Sequence, residues 1–186
     1  MKKYQVIYAD PPWNYRVWSK KGAGRSAEAH YPTMSIEQIK ALPVANMADR
    51  DCALFLWITF PMLKEAWSVM EAWGFTFRTA AFVWIKLNRK ADSLFTGMGY
   101  WTRANAEICL LAARGQPRRK MKNVHQVILS RIEEHSKKPE EARRRIEALM
   151  GDVPRVELFA RQTAPGWDIW GDEVTSSFQM EDYASG

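Results

Sequence analysis

Cysteine and histidine are scarce, with two of the first and three of the second in 186 residues. Cys52 and Cys109 each stand inside an apolar, strand-like run, so they read as reduced core residues and exclude a disulfide framework. Together with three scattered histidines they make no cluster of metal-ligand spacing, and no metal is expected. No apolar run approaches the length of a membrane span, and Met1-Lys2-Lys3-Tyr4 does not lead into the long apolar stretch of a signal peptide. A cytoplasmic protein is the expectation. Internal repeats, low-complexity tracts and linkers are missing too, which leaves one domain over residues 1–174 and a frayed, flexible tail over 175–186.

Tryptophan, by contrast, is plentiful. Nine of them exceed what a small core usually needs, so some are expected to face ligands. The net charge of +6 leans towards a polyanionic partner.

Strand-like and helix-like segments alternate along the chain. Val6 to Ala9 is a first strand, followed by a Gly- and Lys-rich loop from Ser19 to Ala29. Ser35 and Gln38 form a capping box that opens a short helix to about Leu42. Ala53 to Ile58 reads as a strand buried on both faces. Pro61 lies in the first turn of a helix with Leu63, Ala66, Trp67 and Met70 on one stripe and Gly74 as its stop. Phe77 to Ile85 is a third strand, Leu87 to Arg103 a long loop, Ala106 to Ala112 a fourth strand and Val124 to Leu129 a fifth. Pro139 opens a helix with Glu140 and Glu141 in its first turn. Arg155 to Ala160 is a last buried strand, before a Pro165-Gly166 turn. This alternation predicts an α/β fold: a mostly parallel sheet with helices on both faces, and a ligand crevice at the carboxyl ends of its strands.

The first strand ends in Asp10-Pro11-Pro12-Trp13. Pro-Pro alone is ordinary loop punctuation; a carboxylate before it and an indole after it suit a site that methylates an exocyclic amine. Such an amine is a poor nucleophile because its lone pair is delocalised into the base. A site that accepts hydrogen bonds from both amine hydrogens draws the nitrogen towards a tetrahedral geometry. Asp10 can accept one and the Pro11 carbonyl the other, and prolines fix φ at about −65°, so that carbonyl is set beforehand. Trp13 offers a face for a flipped base.

Several further segments follow in order: His30-Tyr31-Pro32-Thr33-Met34-Ser35, Phe55-Leu56-Trp57, Gly99-Tyr100-Trp101 with Asn105 and Glu107, His135-Ser136-Lys137-Lys138-Pro139, Glu157-Leu158-Phe159-Ala160-Arg161, and Pro165-Gly166-Trp167 running into Gly171. From roughly Val6 to Val174 this set resembles the catalytic domain of the mRNA N6-adenosine methyltransferase seventy-kilodalton-subunit family, in a compact bacterial or phage form. The resemblance implies a Rossmann-like, sequence-permuted methyltransferase domain, catalytic strand first and cofactor strand last. It also implies S-adenosylmethionine as methyl donor and adenine N6 as acceptor. In that likeness Asp10, Pro11, Pro12 and Trp13 are catalytic, with Asp10 also beside the cofactor. Lys138 would pair with the cofactor carboxylate; Phe159 and Arg161, together with Glu157 and Thr163, would belong to the cofactor site, and Asp172 and Glu173 would bind ribose hydroxyls. Tyr31 matches a substrate-side tyrosine, and Glu107 is either near the amine or paired with a lysine. Thr163-Ala164, Asp172 and the short stretch before the catalytic strand depart from the family pattern. Part of the cofactor-adenine pocket is therefore expected to be shallow or supplied elsewhere.

For nucleic acid the candidates are Arg16 with Lys20, Lys21 and Arg25 in the first loop, and Arg118, Arg119 and Lys120 with Arg114 and Lys122 after the fourth strand. These would meet phosphates. Trp18, Tyr100 and Trp101, in loops flanking the catalytic turn, could stack on neighbouring bases or equally cover the core, and Arg103 is a further nucleic-acid candidate, whereas Arg143-Arg144-Arg145 reads as solvated helix surface. DNA is the expected substrate in preference to RNA. A chain of this size has no room for a separate recognition domain, so either loose sequence preference or recognition by the two long loops is expected, aided by a homodimer or partner subunit. A non-catalytic nucleic-acid-binding subunit and a cytosine-N4 methyltransferase are the alternatives.

Overall fold

Strand β1 (Tyr4–Ala9) is buried on both faces, which is why its residues are apolar without alternation. Val6 and Tyr8 pack into one core and Ile7 and Ala9 into another, on opposite sides of the sheet. The computed structural model describes residues 1–14, 33–99, 101–133 and 137–184. After β1 come α1 (Ile36–Ala41), α2 (Val44–Met47), β2 (Ala48–Ile58), α3 (Leu63–Ala72), β3 (Thr76–Leu87), β4 (Ala106–Arg114), β5 (Val127–Arg131), α4 (Glu140–Met150), β6 (Arg155–Leu158) and β7 (Asp168–Trp170).

The seven strands lie in the order β5-β3-β4-β2-β1-β6-β7. β1 pairs in parallel with β2 and β6, β6 with β7, and β3 with β5, while β4 runs antiparallel between β2 and β3. The mostly parallel sheet expected from the sequence is present. Because β4 is reversed, its amino end lies beside the carboxyl ends of the others, and Glu107 at its start therefore joins Asp10 at the same edge.

Helices cover both faces. Ile39 of α1 and Ala66, Val69 and Met70 of α3 pack on the Ile7 side, and Ala142 and Ile146 of α4 on the Tyr8 side. Ser35 and Gln38 make the expected capping box. Gly74, at φ +78, ends α3 with its amide on the Glu71 carbonyl. The α3 stripe is narrower than expected: Leu63 and Trp67 stay exposed, with the Trp67 ring tilted against Phe77 at 4.4 Å between centroids.

The last strand expected to run from Arg155 to Ala160 stops at Leu158, since Phe159 takes a left-handed φ of 62 and turns the chain. The fifth strand begins three residues later than expected, at Val127. The expected flexible tail is corrected most. A short 3-10 helix at Met180–Tyr183 returns to the core, where Tyr183 is 3% exposed. Its hydroxyl donates to the Lys2 carbonyl at 3.0 Å, and its own carbonyl accepts from the Asn46 amide at 2.9 Å. Phe178 and Tyr183 stack edge to face, and such a pair favours order over fraying. Both cysteines are buried and unpaired, and burial pushes the Cys52 thiol up to about 12.

Candidate active site

At the carboxyl end of β1 the chain makes a tight turn. The Trp13 amide donates to the Pro11 carbonyl at 2.8 Å, and the Met34 amide to the Pro12 carbonyl at 3.0 Å. The Pro11 oxygen is thus fixed in direction by a neighbour two residues on, and a carbonyl oxygen has a second lone pair for an incoming donor. Trp13 departs from its expected role as an open stacking face. It is 4% exposed, packs into the α3-side core, and donates its indole N–H to the Trp57 carbonyl at 2.9 Å. The indole N–H needs a partner once buried, and the end of β2 supplies it, so Trp13 clamps the turn to the sheet.

Asp10 is held from outside its own strand. Lys138, just before α4, sits with Nζ 2.8 Å from Asp10 Oδ2 and 3.2 Å from Glu107 Oε2. Lys86, near the end of β3, donates to the other Glu107 oxygen, Oε1. Asp10, Lys138, Glu107 and Lys86 thus alternate in sign across four separate segments. The Lys138 ammonium also lies 5.7 Å from the centre of the Trp57 ring. Burial raises the Asp10 pKa, against the opposing pull of Lys138. Glu107 is also penalised by burial, but Lys138 and Lys86 together outweigh this and hold it below the usual carboxylate range. Lys138 is held above its ordinary value; burial works against this, and Asp10 and Glu107 overcome it.

A second wall comes from the strand ends of β6 and β7. The Ala160 amide donates to the Trp170 carbonyl at 2.9 Å, and a Cβ built on Gly171 would lie 2.2 Å from the Ala160 oxygen. The two loops therefore touch backbone to backbone, which only glycine permits there. Phe159 meets Trp170 edge to face at 5.4 Å, and Arg161 Nε lies 3.5 Å from Glu173 Oε1 at the rim. Asp172, Glu173 and Thr163 are exposed.

Other expected site residues fall elsewhere. Glu157 points towards α4, not the crevice rim, and meets Arg143 at 3.0 Å. Burial pushes its carboxyl up to about 7, against the pull of Arg143. Arg143 is correspondingly buried, contrary to its reading as solvated surface, while Arg144 of the same run is exposed. Arg118, Arg119 and Lys120 follow the carboxyl end of the reversed strand β4, at the end of the sheet away from Asp10. Arg118 there lines a cavity of about 610 Å³ with Gln5 and Asp49, at the starts of β1 and β2. They do not line the catalytic crevice. Trp101 and Arg103 are exposed on the loop between β3 and β4, at the crevice end. Arg16, Tyr31, Trp18, Lys20, Lys21, Arg25, Tyr100, His135 and Ser136 lie outside the described residues.

Lys86 is the member that sequence reasoning missed. A lysine closing an apolar strand, with a glutamate opening another, was the available signal. The pairing becomes visible only through the β3–β4 register, in which Trp84 stands opposite Glu107.

A mostly parallel, helix-covered sheet with an Asp-Pro-Pro-Trp turn at the carboxyl edge of its first strand defines a Rossmann-like methyltransferase. The MT-A70 family model matches residues 4–173, and the chain belongs to that family. It is 33% identical over 190 residues to the Type II methyltransferase M.MunI of Mycoplasma sp, covering 93% of this chain and 78% of that protein. Over 176 residues it is 28% identical to the human N(6)-adenosine-methyltransferase catalytic subunit METTL3, covering 92% of this chain and 28% of that one. An Arabidopsis thaliana N(6)-adenosine-methyltransferase MT-A70-like protein is 29% identical over 174 residues, with 24% of its length covered. Among the described residues no helix is long and apolar enough to cross a membrane, and no group of three or more His, Cys, Asp or Glu could hold a metal ion.

Proposed function

We propose that the chain is an S-adenosylmethionine-dependent methyltransferase acting on N6 of adenine in DNA, in the cytoplasm. The observation that carries it is the pair of acceptors at the end of β1: an Asp10 carboxylate held by Lys138, and a Pro11 carbonyl fixed by the Trp13 amide. DNA is favoured over RNA by the likeness to the Type II methyltransferase, which extends over 78% of that protein against about a quarter of the adenosine methyltransferases. A second copy or a partner subunit would add recognition surface.

The residues present fit the methyl donor. The loops that meet at Gly171 and Ala160 would form a groove edge beside Phe159, with the exposed Asp172 and Glu173 carboxylates able to accept bonds from ribose hydroxyls. Lys138 would hold the donor's carboxylate. A sequence-permuted order, with the catalytic strand first and the cofactor strand last, is part of this reading and would place the amine site at β1 and the donor at β6 and β7. When bound, the donor supplies a methyl group on a sulfonium sulfur, open to in-line displacement. Everything else falls to the chain. Asp10 and the Pro11 carbonyl accept from the two amine hydrogens and localise the nitrogen lone pair, an alignment of fixed dipoles that costs no reorganisation during transfer. Asp10, whose proton affinity burial has raised, is suited to take the proton that the nitrogen loses. Trp13 keeps the turn in register with β2.

Labelled methyl transfer to matched DNA and RNA oligonucleotides, followed by mass spectrometry of the digested nucleosides, tests this. N6-methyladenine in DNA is expected. N4-methylcytosine would reassign the acceptor, transfer only to RNA would reassign the substrate, and no transfer with any plausible partner present would leave a binding subunit.

A further inference from the structure

Lys86 is outside the amine-binding turn and outside the groove edge at β6 and β7, yet its side chain is largely buried and engaged in the site. Its ammonium contacts Glu107 and lies 5.0 Å from the centre of the Trp84 ring. Its backbone anchors the loop that carries Trp101, with the Phe95 amide on the Lys86 carbonyl at 2.8 Å and the Lys86 amide on the Asn105 carbonyl at 2.9 Å.

We propose that Lys86 is a positioning residue for Asp10: by neutralising Glu107 it leaves Lys138 to hold the Asp10 carboxylate ionised and aimed at the target amine. For its catalytic consequence the proposal rests on the methyltransferase reading. Asp10 and Glu107 are two buried carboxylates, and Lys138 spans both, at 2.8 and 3.2 Å. With Lys86 present the row sums to zero. Without it, two carboxylates share one ammonium, and like charges at such range raise the proton affinity of at least one. Both carboxylates keep Lys138, at 2.8 and 3.2 Å, and Glu107 loses its second cation, so the extra proton is shared across the coupled pair, of which Asp10 is the member that burial already raises. Among the described residues, the other groups acting on Asp10 do not replace Lys86. Arg161 after β6 favours the carboxylate but is drawn to Glu173 at the rim; Glu157 of β6 is paired with Arg143; Tyr8 and Cys109 lie close and are held neutral by burial. A protonated Asp10 donates where it must accept, and the amine loses one of its two acceptors.

The test measures the Asp10 midpoint directly and the rate separately. Protein labelled with carboxyl-13C aspartate is titrated as wild type, Lys86→Met, Lys86→Arg and the double variant Lys86→Met with Glu107→Gln, the Asp10 signal being assigned by its loss in Asp10→Asn. Lys86→Met should raise the Asp10 midpoint by about one pH unit. Lys86→Arg should leave it near the wild-type value, and the double variant, balanced in charge again, should bring it back. The acid limb of kcat on adenine-containing DNA should move with it, with KM for DNA and the cofactor Kd changed less than about twofold. An unmoved midpoint in Lys86→Met overturns the proposal; so does a raised midpoint that the double variant fails to restore, which would mark a purely structural role. If Lys86→Met does not fold, Lys86→Gln, which keeps a donor to Glu107 without the charge, takes its place: the Asp10 midpoint should again rise, and an unmoved one overturns the proposal. Absence of methylation by the wild-type protein would overturn the functional reading, while the carboxyl titration would still judge the role of Lys86.

Discussion

Lys138→Met keeps the aliphatic stem and removes the ammonium between two buried carboxylates. In the wild-type protein that ammonium is 2.8 Å from Asp10 and 3.2 Å from Glu107, with 13% of the side chain exposed. Removing one partner of a buried ion pair costs about 3–5 kcal/mol, because the charge left behind keeps its desolvation penalty. For a domain of this size that corresponds to a fall in Tm of roughly 6–20 °C. The deficit must depend on pH in a particular direction. Glu107 is held below its usual value, so its stabilising contribution is complete above that usual value and is lost only as pH falls through the lowered one. Lys138 is held above its usual value, so its contribution is complete below that value. Neither changes much between pH 5 and 8. Asp10 has a raised pKa, so its ionisation costs stability as pH rises through that value. Without Lys138 the cost grows, and acid relieves it by protonating the carboxyl. Glu157 also titrates in this window, near 7; its pairing with Arg143 is common to both proteins, and its repulsion by Asp10 eases together with the Asp10 charge, which acts in the same direction. Differential scanning calorimetry of both proteins at pH 5 and 8 should therefore show a large deficit at pH 8 that shrinks at pH 5. An equal deficit at both values, or none at pH 8, would refute the assignment of Lys138 to a buried carboxylate pair.

Three further outcomes are expected. Asp10→Asn keeps the shape and loses the charge, so methyl transfer should fall about a hundredfold or more, the scale of losing one preorganised site contact. Its Tm should fall less than that of Lys138→Met, because Lys138 keeps Glu107 at 3.2 Å and the asparagine oxygen can still accept from it; wild-type turnover by this variant would reject the mechanism. Gly171→Ala would set a Cβ 2.2 Å from the Ala160 oxygen and force the loops after β6 and β7 apart. Calorimetric titration should then show weakened S-adenosylmethionine binding, and an unchanged Kd would show that this groove edge is not the donor's. Tyr183→Ala should cost about 3–5 kcal/mol, as for other buried aromatics, in urea unfolding followed by tryptophan fluorescence. A change below about 0.5 kcal/mol would restore the view of this segment as a free tail.

Much of the fold is legible because it rests on local patterns. β1 and β2 read as strands from uninterrupted apolar runs, α1 from its capping box, and the stop of α3 from Gly74, each a rule that acts over a few residues. What was not legible depends on distant partners. The segment after Thr175 is polar and lacks helical periodicity, so nothing in it announces that Tyr183 reaches Lys2 and Asn46. Arg143 stands in a run of three arginines, and its burial follows only from Glu157 lying beneath α4. Arg118, Arg119 and Lys120 follow a strand as Arg161 does, yet the reversal of β4 sends them to the opposite edge. Strand direction, which a sequence of short strands does not state, thus decided which basic residues could meet the target base at the crevice.

The Asp-Pro-Pro-Trp turn shows the same division within four residues. The acceptor geometry at Asp10 and Pro11 follows from residue type, since prolines fix the backbone and a carboxylate can only accept while ionised. The role of Trp13 does not follow from residue type. An indole after two prolines serves equally as an open face or as an anchor, and what selects between them is the carbonyl of Trp57 on the neighbouring strand, 2.9 Å from the indole nitrogen. Trp57 in turn donates its own ring N–H to the Tyr8 hydroxyl at 2.7 Å and offers its ring to Lys138. The neighbouring strand therefore fixes the turn through Trp13 and borders the cation that governs Asp10. Position and charge of the Asp10 carboxylate thus both run through Trp57, which holds Trp13 and borders Lys138, and a change that loosens β2 at Trp57 should disturb both together.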